Sequence, residues 1–186
     1  VYHYTVPDNE INDWLTERHF EDYNEPPDLF TAGGMASAIA LAEALEKTEG
    51  DASGDAMIAA LEGLKFEGPK GTYHIRPEDH VCEQPMNILK LVNLEPDKDG
   101  DGVNEYEFFE TIYVSEYDEL GVPCTLEGEY ADRCETVSEG EAEVEEAEPG
   151  PLLKIGQLSM QSGVMALYGQ QQHRGFMLGL EYASGG

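Results

Sequence analysis

The hydrophobic pattern changes period part-way along the chain. Up to about Gly63 apolar residues recur every three or four positions; after Gly68 they alternate. The stretch "YTVPDNEINDWLTERHFEDYNEPPD" predicts a helix. Asp8 or Asn9 caps it, Glu10 puts negative charge in its first turn, and Pro26 and Pro27 end it. Ile11, Trp14, Leu15 and Arg18 share one side, with Phe20 and Tyr23 extending the apolar surface. "DLFTAGGMASAIALAEALEKTEG" predicts a second, alanine-rich helix with Met35, Ile39, Ala42 and Leu45 as its buried stripe and Gly50 as its stop. "SGDAMIAALEGLKF" predicts a third, capped at Ser53 or Asp55, with Gly63 after its last turn. Alternation then predicts a strand in "GTYHIR" behind the Gly68-Pro69 turn. Two longer strands follow in "QPMNILKLVNLE" and "NEYEFFETIYVS", joined as a hairpin by "PDKDGDGV". The last stretch, "LKIGQLSMQSGVMALYGQQQHRGFMLGLEYASGG", predicts a strand, a Ser-Gly turn and a glycine-spotted helix. There is no internal repeat.

Between the hairpin and this last unit lies "ETVSEGEAEVEEAEPG", residues 135–150, acidic and without an aromatic residue. It reads as a flexible, self-repelling linker. The sequence therefore divides into 1–134, the linker 135–150, and 151–186. The length of 186 residues suits one domain or one and a half.

Charge changes the picture most. Thirty-nine acidic residues face ten basic ones, a formal net charge of −29. Nucleic acid and anionic membrane surfaces would repel such a chain. Most of the acids are spread over amphipathic segments, as on a solvated folded surface, which argues against disorder. The charge leads us to expect a high-salt environment, where screening relieves self-repulsion. The acidic cytosolic protein is the plainer alternative. No stretch reaches the length expected of a membrane span, and no signal peptide or initiator Met is visible. The chain reads as a mature form or as an excerpt. Of three cysteines, none lies in a CxxC or Cys/His cluster, so no zinc site is expected. Cys124 and Cys134 flank "CTLEGEYADRC"; pairing would close a small loop worth about 2–3 kcal/mol, and two unpaired thiols are the alternative.

The order of elements resembles a known family. "LEGLKFEGPKGTYHIRPEDHVCEQPMNILKLV" carries a short helix, a Gly-Pro-x-Gly turn, a strand, an Asp-x-His turn and a Gln-Pro-Met strand. It looks like the C-terminal part of the ABC-transporter solute-binding proteins for branched-chain amino acids and related amides, and the likeness covers roughly residues 1–115. The closing unit resembles the same family's N-terminus, through its first strand, Ser-Gly loop, Tyr-Gly and first helix. A receptor's end thus precedes a receptor's beginning, as in a circular permutant, a tandem junction or a fragment. The resemblance implies an α/β fold of the type I periplasmic-binding class, an open sheet flanked by helices, here partial or permuted. It implies an extracytoplasmic location, with membrane anchoring in the full-length protein. It also implies a small-molecule ligand (an amino acid or amide) held by lobe closure, and ABC permease subunits as partners. Neither nucleic acid nor direct membrane insertion by this segment is expected.

Candidate site residues follow. Ser162 and Gly163 allow close backbone approach at the end of a strand, and the helix behind them favours a carboxylate. Tyr168 matches an aromatic position that the family uses against the ligand side chain; packing the helix is its plainer role. Met35 stands where the family often has an aromatic residue and is expected either to line an apolar pocket or to sit in the core. Asp97, Asp99, Asp101 and Gly102 have the spacing of a calcium loop over residues 97–107, but Phe108 stands where a bidentate acid is needed and Glu107 falls one residue early. An acidic hairpin turn is the favoured reading, with Ca2+ the alternative; no other cofactor is expected. His74, His80 and His173 form no catalytic arrangement, Arg174 reads as a surface charge, and no set of acid, base and nucleophile points to an enzyme. Two other outcomes are a ligand-sensing extracellular domain of a signalling receptor, and an incomplete fragment that binds nothing.

Overall fold

The computed structural model describes residues 2–91, 109–119, 121–135 and 154–185. The expected linker, apart from Glu135, and the 97–107 loop lie outside the described residues.

Three helices open the chain. Helix α1 spans Glu10–Tyr23, and the Asn9 side chain accepts from the Asn12 amide. It ends at Asn24, which adopts the left-handed conformation at φ 54°, before the prolines. Helix α2 spans Leu29–Lys47 behind a capping box: Asp28 accepts from the Phe30 and Thr31 amides, and Thr31 closes back on the Asp28 amide. Helix α3, Gly54–Leu61, is capped by Ser53. It ends before Gly63, as the sequence leads us to expect. The helix stops at Leu61, and Lys65–Gly68 is a strand, β1, with alternating burial. It pairs antiparallel with β2, Gly71–Ile75, which pairs with the short β3, Cys82–Glu83. The expected hairpin pairs β4, Met86–Leu91, with β5, Phe109–Ser115, and a register shift falls between Ile88 and Leu89.

The closing unit contributes α4, Ala166–Ala183. Residues 154–165 before it form no strand, contrary to expectation. Leu158 and Val164 are almost fully exposed there, because no neighbouring strand among the described residues supplies a ladder. The small sheets that do form are antiparallel. The architecture is α/β with small open sheets, a partial domain.

The core lies where the two ends of the sequence meet. Leu15, Ala32, Met35, Ala36, Ile39, Phe66, Tyr73 and Leu178 are buried together. Helices α2 and α4 run in the same direction and interlock through glycines. A Cβ on Gly175 would overlap the Thr31 carbonyl, and one on Gly34 the Gln172 carbonyl; one on Gly179 would lie 2.7 Å from the Ala38 Cβ. By length and composition α2 could cross a membrane, which amends the sequence expectation; half of it is buried inside this fold instead. Trp14 meets Tyr182 edge-on at 5.2 Å, and Arg18 pairs with Glu181 at 3.0 Å, fixing α1 to α4.

Asn12 ties the N-terminal segment down. It is buried, accepts from the Tyr2 hydroxyl at 2.9 Å, and donates to the carbonyls of Tyr4 at 2.8 Å and Pro7 at 3.1 Å. Burial raises the Tyr2 hydroxyl pKa, so it stays a donor. Asn12→Ala strands these buried groups. We expect a loss of about 2–3 kcal/mol in urea unfolding, and a loss within error would show the network to be dispensable.

Candidate functional site

The site forms where α2 and α4 begin. The Asp28 capping box sets the first turn of α2 and aims Phe30 outward. Thr31 then fixes the register against α4: its hydroxyl lies 3.0 Å from the Gln171 side-chain oxygen, and both residues are buried. Gln171 donates to Glu25 at 3.4 Å, and Glu25 pairs with Arg174. Arg174 also lies over the Tyr23 ring, 4.4 Å from its centroid. It is therefore a clasp between α4 and the α1–α2 connection rather than a plain surface charge.

This register places the Phe30 ring against the Tyr168 ring, 4.5 Å between centroids and tilted by 36°. Each ring keeps 38% exposure, so the pair forms a wall rather than a core contact. Leu158, Met160, Met165 and Gln172 complete a cavity of about 410 Å³. An adjoining cavity of about 430 Å³ runs on between α2, Leu61 and Ile155–Leu158. The chain before α4 is held close because Gly169 has no side chain: a Cβ there would overlap the Met160 carbonyl. The chemistry is that of an apolar, aromatic surface with one amide at its rim, suited to the flat or branched apolar part of a small molecule. At the start of α4 no side chain caps the helix, and the Ala166 amide donates to the Gly163 carbonyl at 3.1 Å.

The sequence-derived candidates separate here. Tyr168 stands in the wall. Ser162 and Gly163 lie in the exposed turn before α4, Gly163 at φ 79°, and line neither cavity. Met35 is fully buried in the core and lines neither cavity. Asp97, Asp99 and Asp101 lie outside the described residues; among the described residues no group of His, Cys, Asp and Glu could hold a metal ion. Cys124 and Cys134 are bonded, with their Cα atoms 5.6 Å apart. Phe30, Met160, Met165 and Gln172 were missed. The one available signal was Phe30 itself, an aromatic residue directly behind a helix cap and off the buried stripe of α2.

These features define an α/β domain with an exposed aromatic wall. A family model described as periplasmic binding protein matches residues 1–101, more than half of the chain. The chain belongs to that family of periplasmic binding proteins. The family is one of ligand-binding proteins that are not enzymes, and its description implies an extracytoplasmic location for its members. Among solved structures, an ABC-type branched-chain amino acid transporter from Rhodopseudomonas palustris is similar. It is 34% identical over 66% of this chain and 31% of its own, with a TM-score of 0.57. A solute binding protein of an ABC transporter from the same species, in complex with 3,4-dihydroxy benzoic acid, is 25% identical over 62% of this chain and 29% of its own, with a TM-score of 0.50. The chain spans about a third of the length of these structures. No curated protein sequence matches it.

Proposed function

We propose that this chain is part of the extracytoplasmic substrate-binding component of an ABC importer. It presents one wall of a cleft that closes over a branched-chain amino acid or related small amide. The observation that carries the reading is the half-exposed pair of Phe30 and Tyr168, held in place by a buried cap and an interlocked helix pair. The ring surface that this pair leaves exposed gains when an apolar ligand group covers it. The similar branched-chain amino acid transporter supports this ligand class, and the relative that holds 3,4-dihydroxy benzoic acid adds aromatic acids to the compounds worth testing. Permease subunits are the expected protein partners, and an anchor elsewhere in the longer protein would keep it at the membrane. In this reading residues 1–134 supply the family's C-terminal portion and 151–186 its opening strand-loop-helix unit. The two meet through α2 and α4.

Calorimetric titration in molar KCl tests the reading, using leucine, isoleucine, valine, small amides, urea and 3,4-dihydroxybenzoate. One compound class should bind selectively. Phe30→Ala and Tyr168→Ala should each weaken that binding about tenfold or more, the scale of losing one aromatic contact and its buried area. Binding that ignores both substitutions would place the ligand elsewhere.

A further inference from the structure

A second device lies at the end of α3 and the β2–β3 turn. Residues 121–135 form a strap that ends in a 3-10 helix, Gly128–Glu135. The strap has little apolar anchoring: Val122 and Tyr130 are 43% and 55% exposed. Polar contacts at its two ends fasten it instead. At one end the buried Arg76 guanidinium donates to the Val122 carbonyl while its Nε reaches Asp79 at 3.0 Å. At the other end one nitrogen of Arg133 lies 2.8 Å from Glu62 Oε1, 2.7 Å from the Pro77 carbonyl and 2.9 Å from His80 Nε2. His80 in turn lies 2.7 Å from the same Glu62 oxygen. Arg133 thus joins the end of α3 to the β2–β3 turn, which His80 closes at φ 60°.

The disulfide fixes this geometry. Arg133 precedes Cys134 directly, and Cys124 lies two residues beyond Val122. A long, partly exposed arginine gains little from surface ion pairs when it must be ordered for them. Closing the loop by a covalent bond orders it beforehand.

We propose that the Cys124–Cys134 bond makes residues 121–135 a redox-released clasp on the end of α3 and the β2–β3 turn. A dithiol reductant releases it by exchange. One thiolate attacks a sulfur of the pair, the other cysteine leaves as a thiolate, and the second thiol of the reductant displaces the mixed disulfide. Two electrons and two protons pass to Cys124 and Cys134, and the reductant becomes a disulfide. Arg133 then loses its fixed position beside Glu62 and His80. The extracytoplasmic location fits a bond that persists until such a reductant reaches it.

Hydrogen exchange of the full chain, oxidised and after dithiothreitol, tests the clasp. Thiol counting gives the controls: Cys82 alone should react before reduction and all three cysteines after it. Reduction should speed exchange about tenfold in residues 76–81 and at the end of α3, leaving α2 and α4 unchanged. Oxidised Arg133→Gln should show the same faster exchange, with little added by reduction, because bond and arginine act through one contact. Three outcomes would overturn the proposal. They are full protection of the turn with three thiols counted, a rise that spreads through α2 and α4, and effects of Arg133→Gln and reduction that simply add. The arginine variant leaves the bond intact, so the test survives if cysteine variants do not fold.

Discussion

Gly175→Leu should abolish cooperative folding, while Gly33→Ala should leave it intact. The two glycines lie on helices of the same interlocked pair, but their surroundings are opposite. A Cβ at Gly175 would overlap the Thr31 carbonyl, and backbone cannot rotate aside as a side chain can. A leucine there must force α2 and α4 apart. That opens the core at Met35 and Leu178 and parts Thr31 from Gln171. Overpacking costs about 1–3 kcal/mol when neighbours can adjust, and more when they cannot; a domain's whole stability is only about 5–15 kcal/mol. A Cβ on the exposed Gly33 meets nothing within 4 Å. Alanine there should be neutral or stabilise the helix by up to about 1 kcal/mol. Circular-dichroism melts of the two variants check this. A cooperative Gly175→Leu melt near that of the parent would mean that α2 and α4 do not pack at this distance.

Salt should matter nearly as much. At −29, the folded chain concentrates like charge that the unfolded chain spreads out. The Debye length shrinks from about 30 Å in dilute buffer to about 3 Å at molar salt, which removes most repulsion between surface carboxylates. We expect the melting temperature to rise by about 10 °C or more between these conditions, equivalent to a few kcal/mol for a chain of this size. Sucrose of matched osmolality separates screening from solute exclusion, because it does not screen charge. A melting temperature no lower in dilute buffer, or an equal rise in sucrose, would remove the high-salt expectation.

The legible parts of the fold are those written in local chemistry. Asn9 and Ser53, each one of two caps the sequence offers, announce their helices because a cap is a matter of a few consecutive residues. The hairpin of β4 and β5 follows from alternation. Strand β1 was not legible: at four residues it is too short for alternation to outweigh the helical run before it. The segment 154–160 failed for the opposite reason. Its sequence suits a strand, yet a strand exists only where a neighbour pairs with it, and that lies beyond local pattern. At the site, Tyr168 was found through family resemblance. Phe30 and Arg174 were not, since each takes its role from a partner at the other end of the chain. The family likeness proposed Met35 as a pocket residue; its helical spacing pointed to the core, and the interlock with α4 puts it there.

The two ends of the sequence meet, with α2 and α4 in one register that sets Phe30 against Tyr168. Nuclear Overhauser spectroscopy in high salt tests this most directly. A strong cross-peak is expected between the Ala38 methyl and the Gly179 α-protons, where a Cβ would lie 2.7 Å from the methyl carbon. Cross-peaks are also expected between the rings of Phe30 and Tyr168. A spectrum in which α4 is helical but exchanges no magnetisation with α2 would rule out this helix packing.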